Sequence, residues 1–226
     1  MGTFSLYRNI CRRRICFVLA TIVFLGIAQA QSLSGQALVE VLRQGGCELV
    51  MRHANSPAAL PDKTTADPEN VQGERQLDEA GRNAARAMGE AIKALRIPIA
   101  RVLSSPAYRA RETVKFAGLG TPEVVADLDI GSQSSMLAAA ADARSTWLRH
   151  QVTISPPEGT NTLIVTHAPN ILSAFGQSAA NLSDGETLVF RSDRKGGATL
   201  LARIKIEDWP RLASADSGSV REARPQ

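Results

Sequence analysis

The chain holds three histidines in 226 residues, and two of them close short apolar runs. Cys47-Glu48-Leu49-Val50-Met51 leads into Arg52-His53, and Leu163-Ile164-Val165 leads into Thr166-His167. A second basic cluster lies in Ser104-Ser105-Pro106-Ala107-Tyr108-Arg109-Ala110-Arg111-Glu112-Thr113. An imidazole set between guanidinium groups makes a cradle for phosphate, because arginine stays charged and its planar fork meets phosphate oxygens in pairs. A neutral imidazole nitrogen can also attack phosphorus, and the covalent intermediate divides one difficult displacement into two easier ones. Charge in that transition state spreads over the equatorial oxygens, where arginines and a second, protonated imidazole stabilise it. The departing alkoxide needs a proton, which calls for a carboxylic acid nearby. This chemistry requires no metal and no cofactor, and no His-x₃-His or carboxylate-bracketed spacing points to a metal centre.

The elements that must position these side chains follow from periodicity. Each apolar run is too short for a helix and is bounded by turn formers, so each reads as a buried strand. Polar residues at the carboxyl ends of parallel strands are where an open α/β sheet builds its site. Ser34 reads as the cap of a helix carrying Leu38, Val41 and Leu42, stopped by Gly45-Gly46. Asn55 to Asn70 contains three prolines and reads as a loop over the site. Leu77, Ala80, Ala84, Met88, Ala91 and Leu95 step by three or four, which predicts one apolar helix face, and Asp78 and Glu79 suit its positive end. A strand over 100–103 leads to a helix carrying Arg109. Arg111 falls about 200° further round that helix and faces away, whereas Thr113 shares the side of Arg109.

Val124-Val125 predicts a strand, 136–148 an alanine-rich helix, 170–175 the helix after His167, and 187–190 and 199–206 two late strands. The near-continuous alternation of strand and helix predicts an α/β protein, a three-layer α/β/α sandwich with a mostly parallel central sheet. His150, beside Arg149 at a helix end, reads as a surface residue answering the helix dipole. Trp147 and Trp209 are too far apart in sequence to suggest a stacking platform.

Residues 1–30 read as a secretory signal peptide. Arg8, Arg12, Arg13 and Arg14 form its basic region, Ile15 to Ile27 its apolar core, and Ala28-Gln29-Ala30 a small-x-small cleavage site. The apolar run falls short of the roughly 20 residues a membrane span needs, so the expected location is periplasmic or secreted, with no stable span after cleavage. The leader carries four of the 26 basic residues and none of the 22 acidic ones, so the formal charge of +4 belongs to the leader alone. A nucleic-acid partner is therefore not expected. Cys11 and Cys16 also leave with the leader, and Cys47 reads as a buried, inert thiol in the first strand. Residues 31–212 are expected to form one domain, and 213–226, polar and aperiodic, a frayed tail.

Three motifs in order, Val50-Met51-Arg52-His53-Ala54-Asn55-Ser56, Ser104-Ser105-Pro106-x-x-Arg109-Ala110-x-x-Thr113 and Ile164-Val165-Thr166-His167-Ala168, supported by Leu77-Asp78-Glu79-Ala80-Gly81, resemble the histidine phosphatase superfamily in its phosphoglycerate-mutase-like branch. The resemblance implies a phosphoglycerate mutase-like fold and a phosphatase acting on a small phosphorylated substrate; an envelope sugar or lipid phosphate suits the expected compartment. It implies that His53 is the nucleophile, that Arg52, Arg109 and His167 bind the phosphoryl group, and that Ser56 touches either the phosphate or the loop. Ala54 stands where the family usually has glycine, which removes easy access to positive φ. Asp129 is the first candidate for the general acid, with Asp127 and Glu186 as alternatives.

Overall fold

The structure is a computed structural model that describes residues 32–130 and 138–222. The expected leader lies outside the described residues. Six strands form one sheet: β1 (Cys47–Arg52), β2 (Ile99–Ser104), β3 (Glu123–Val124), β4 (Asn161–Thr166), β5 (Thr187–Ser192) and β6 (Ala198–Ile204). Their order is β3-β2-β4-β1-β5-β6. The first four in that order run parallel, and β5 and β6 add an antiparallel edge. The mostly parallel central sheet flanked by helices that the sequence predicts is the one observed. Among the described residues the α-helices are α1 (Gly35–Gln44), α2 (Glu79–Ala94), α3 (Tyr108–Ala117), α4 (Ala138–Gln151), α5 (Ala168–Phe175) and α6 (Asp208–Glu222).

Alternation along each strand divides the core into two layers. Leu49 and Met51 of β1, with Leu163 and Val165 of β4, pack under α1, α2, α3 and α6 through Leu42, Met88, Ile92, Val114 and Trp209. Val50, Leu103 and Ile164 point the other way and meet Leu148 of α4 and Ile171 of α5. A strand covered on both faces needs apolar side chains on both, which explains the unbroken runs in the sequence.

The start of α2 is fixed as its acidic residues suggest: the Asp78 carboxylate accepts the Gly81 N–H at 2.7 Å. Its buried face is rotated from the expected one only at the start: Leu77, Met88, Ala91 and Leu95 are buried as expected, Gly81, Ala85 and Ile92 join them, and Ala80 is exposed and Ala84 half-buried. Two glycines set this rotation. A Cβ on Gly89 would lie 1.8 Å from the Ala117 carbonyl oxygen, and one on Gly81 would lie 2.2 Å from that of Asn55. Backbone therefore meets backbone on a face that apolar periodicity alone does not reveal.

The C-terminal expectation needs correction. Residues 213–222 continue α6 rather than forming a frayed tail. Trp209 is fully buried, Leu212 and Ala213 pack against the core, and Arg43 Nη2 meets Asp216 Oδ2 at 2.6 Å. One buried aromatic and one ion pair anchor a helix whose composition looks like that of a tail. Among the described residues no helix is long and apolar enough to cross a membrane.

Candidate active site

The carboxyl ends of β1, β4 and β2 lie side by side. Arg52 pairs with Thr166 and Ser104 with Val165 in the parallel ladders. The ladder extends one residue beyond β1: His53 donates its N–H to the Thr166 carbonyl at 2.9 Å, and its own carbonyl accepts the Gly185 N–H at 3.0 Å. His53 is thereby fixed at backbone level on both sides. His167 follows β4 and opens α5 from the N-cap position. The two rings lie 5.3 Å apart, centre to centre, at 65°.

Arg109, the second residue of α3, joins them. Its Nε donates to His53 Nε2 at 3.2 Å, and its Nη2 donates to His167 Nδ1 at 3.0 Å. These bonds and their neighbours define both tautomers. His53 Nδ1 lies 2.8 Å from the Ala54 carbonyl, which can only accept, so Nδ1 carries the proton and Nε2 keeps its lone pair. In His167 the nitrogen facing Arg109 must accept, so the proton sits on Nε2 and is given to Ser105 Oγ at 2.9 Å.

Both imidazoles are nearly inaccessible, 4% for His53 and 1% for His167. Burial is the main reason that the His53 pKa falls to about 4 and that of His167 to about 2. The charges of Arg109, Arg52 and Arg75 lower both further. The protonated second imidazole expected from the sequence is thus a neutral one in the unliganded site. A phosphate dianion arriving among three guanidinium groups supplies the negative charge that would favour its protonation.

Arg75 is a site residue that sequence reasoning missed. It lies between the proline-rich loop and α2, and its Nε and Nη2 donate back to the loop carbonyls of Pro57 and Ser56 at 2.7 and 2.6 Å. Its position two residues before Leu77-Asp78, the mouth of a predicted helix, was the available signal. Ser105 Oγ accepts the Ala107 N–H at 3.2 Å just ahead of α3 and also meets His167 Nε2. Thr113 lies where the helical spacing placed it: its Oγ1 donates to the Arg109 carbonyl at 2.8 Å and accepts the Ala54 N–H at 3.0 Å. The Ala54 amide is therefore already engaged.

The remaining candidates are dispersed. The Ser56 hydroxyl donates to the Gln76 carbonyl at 2.8 Å, so it secures the loop. Asp127 lies in a 3₁₀ turn and faces a surface hollow with Asp142, Trp147 and His150. Burial raises the proton affinity of Glu186, but Arg203 Nε at 2.6 Å and the Ser183 N–H at 2.9 Å lower it more, holding it as a carboxylate. Asp129 lines a cleft of about 560 Å³ with Glu74, Tyr108 and Arg111. Ala107 and Tyr108, the residues just before Arg109, also line this cleft, and the charges of Glu74 and Asp129 act on Arg109. Arg111 is exposed and its guanidinium carbon lies 5.5 Å from the centre of the Tyr108 ring.

Residues 49–159 match the family model of the histidine phosphatase superfamily, branch 1. That span includes Arg52, His53 and Arg109 and ends before His167, whose place in the site rests on geometry. No curated protein matches the sequence. Among solved structures, the protein histidine phosphatase SixA complexed with tungstate is 18% identical with a TM-score of 0.52, and the match covers 72% of this chain and 98% of that one. A phosphoserine phosphatase mutant from Entamoeba histolytica, in complex with phosphoserine, is 14% identical with a TM-score of 0.48, covering 71% and 98%. The first likeness is one of fold. Residues 49–159, which carry Arg52, His53 and Arg109, thus belong to the histidine phosphatase superfamily, branch 1, and the geometry brings His167 to them.

Proposed function

We propose that the protein is an exported phosphomonoesterase acting through a phosphohistidine on His53, with Arg52, Arg109 and His167 holding the phosphoryl group. The observation that carries this reading is the His53 tautomer. Its Nδ1 proton is bound by the Ala54 carbonyl, and its Nε2 lone pair faces the Arg109 guanidinium. An incoming phosphate replaces His53 as the partner of Arg109 Nε, which frees the lone pair next to phosphorus. Nε2 then forms the N–P bond as the ester P–O bond breaks, and the leaving oxygen takes a proton. Water next attacks phosphorus, the N–P bond breaks, and inorganic phosphate leaves with the imidazole restored.

Asp129 is the proton donor in this scheme, supported by its place in the adjoining cleft. Export is supported by the leader pattern of residues 1–30. A small envelope sugar or lipid phosphate is the substrate class suited to that compartment. A second reading, a non-catalytic binder of such phosphates, draws on one observation. Among the described residues, the hydrogen bonds of the two imidazole rings go to Ala54, Ser105 and Arg109 and to no carboxylate.

Rapid quench of the chain with ³²P-labelled substrate tests the proposal. An acid-labile, base-stable phosphoenzyme that is absent from His53→Ala supports it. Full turnover by His53→Ala overturns it. Phosphate binding without hydrolysis across a panel of phosphate esters favours the binder.

A further inference from the structure

Arg52 is held by a segment that belongs to none of the three motifs. Its Nη1 donates to the Leu182 carbonyl at 2.8 Å, and its Nη2 meets Asp184 Oδ1 at 2.6 Å. Its Nε is buried and has no partner. Each terminal nitrogen thus spends one of its two N–H groups on residues 182–184, while the buried Nε is left without an acceptor. A buried donor in that condition is costly unless a ligand completes it. Arg52 immediately precedes His53 and lies opposite Thr166, which immediately precedes His167, in the parallel ladder, and its charge lowers the proton affinity of both rings.

The holding segment is itself firmly built. Glu186 accepts the Ser183 N–H at 2.9 Å and Arg203 Nε at 2.6 Å through its carboxylate. Its carbonyl accepts the Arg52 N–H at 3.1 Å, and the Gly185 N–H reaches the His53 carbonyl. The turn that presents Asp184 is therefore tied to the backbone of both Arg52 and His53.

We infer that Asp184, with the Leu182 carbonyl, is the positioning element of Arg52, and that it presents Arg52 Nε as the donor to the transferred phosphoryl group. The inference rests on the phosphatase reading of His53. It assigns the two arginines different postures. Arg109 spans the imidazoles with Nε and one terminal nitrogen, whereas Arg52 is clamped at its terminal nitrogens and works through Nε. Asp184 also carries a negative charge that repels phosphate, but its side chain is 36% exposed and that repulsion is screened by solvent. Loss of alignment therefore outweighs loss of repulsion.

The test is a double-mutant cycle on the full chain with Asp184→Asn, Arg52→Gln and the pair, using orthovanadate as the five-coordinate probe. Affinity is measured by calorimetry and turnover with p-nitrophenyl phosphate. Asp184→Asn should weaken vanadate binding and lower kcat by about tenfold, while KM changes by less than about threefold and Tm holds. The double variant should match Arg52→Gln alone, because Asp184 acts only through Arg52. Unchanged vanadate affinity in Asp184→Asn, losses that add in the double variant, or a loss that tracks a fall in Tm would each overturn the inference. A wild-type chain that binds vanadate but turns over no ester defeats the phosphatase reading, and the affinity cycle still decides the role of Asp184. A wild-type chain that binds no vanadate defeats both.

Discussion

The ends of β1 and β4 are near-copies in sequence: a buried apolar run, one polar residue, then histidine. They are also neighbours in the sheet, with Arg52 opposite Thr166. The two imidazoles nevertheless receive opposite tautomers. The His53 proton is on Nδ1, held by the Ala54 carbonyl, whereas the His167 proton is on Nε2, held by Ser105 Oγ. Arg109 donates to the remaining nitrogen of each. In the proposed mechanism, what would separate the nucleophile from the phosphoryl-binding partner is the second hydrogen bond of each ring, made to a carbonyl in one case and a hydroxyl in the other. Equivalent contexts do not imply equivalent roles.

The sharpest way to break this comparison is to replace each ring by an amide. His53→Asn removes the attacking nitrogen and should abolish the labelled phosphoenzyme, with turnover down by at least about a thousandfold. His167→Asn keeps a neutral donor in the site. It should still form phosphoenzyme on His53, with kcat reduced by about a hundredfold through lost stabilisation of the equatorial oxygens. Quench experiments on the two variants check this. If phosphoenzyme survives in His53→Asn and disappears in His167→Asn, the roles are reversed.

The pH dependence of stability gives a smaller and more even effect. In the unfolded chain both histidines take up protons near 6.5, whereas in the folded chain His53 does so near 4 and His167 near 2. Between these values the unfolded state binds more protons, so stability is complete above 6.5 and declines as pH falls. Each ring contributes a loss of about 2 kcal/mol between pH 6.5 and 5. Urea unfolding at pH 7, 6 and 5 should show that decline. His53→Asn and His167→Asn should each flatten it to a similar extent, because above pH 5 both rings are neutral when folded. Inorganic phosphate should also flatten the decline, since a bound dianion favours the protonated rings. A slope unchanged in both variants would show that the rings are charged in the folded chain.

The sequence made the frame of the site legible because buried parallel strands must be apolar on both faces, so the residues that break those runs stand out. Arg52, His53 and His167 are such breaks, and Arg109 follows from helical position after β2. Arg75 and Asp184 were not legible. Each reaches the site from a loop, and loop conformation depends on contacts distant in sequence, here the Ser56 and Pro57 carbonyls and the Arg52 guanidinium. The same reasoning covers α2, whose buried face was set by the close approach of Gly89 to Ala117. It also covers α6, where Trp209 outweighs a polar composition. Carboxylates were the least legible of all: Asp127, Asp129 and Glu186 look alike in sequence, yet they face a surface hollow, the cleft and an arginine.

The smallest expected effect concerns a departure visible in the sequence, Ala54 in place of glycine. Ala54 is absent from the residues with positive φ, which among the described non-glycine residues are Arg96, Asn181 and Arg194. Its N–H donates to Thr113 Oγ1, and its methyl group lies in the core with Leu77 and Ala110. Alanine therefore costs no backbone strain and withdraws no free donor from the phosphate. Ala54→Gly should leave kcat and KM within about twofold, because the amide keeps its partner, while it lowers stability by about 1 kcal/mol through the freed backbone and the lost methyl. Steady-state kinetics with thermal unfolding measures both. A glycine variant that gains turnover tenfold would mean that the Ala54 amide leaves Thr113 for the phosphate during the reaction, and the β1 end would then contribute a backbone donor for which the β4 end, with His167 at a helix N-cap, has no counterpart.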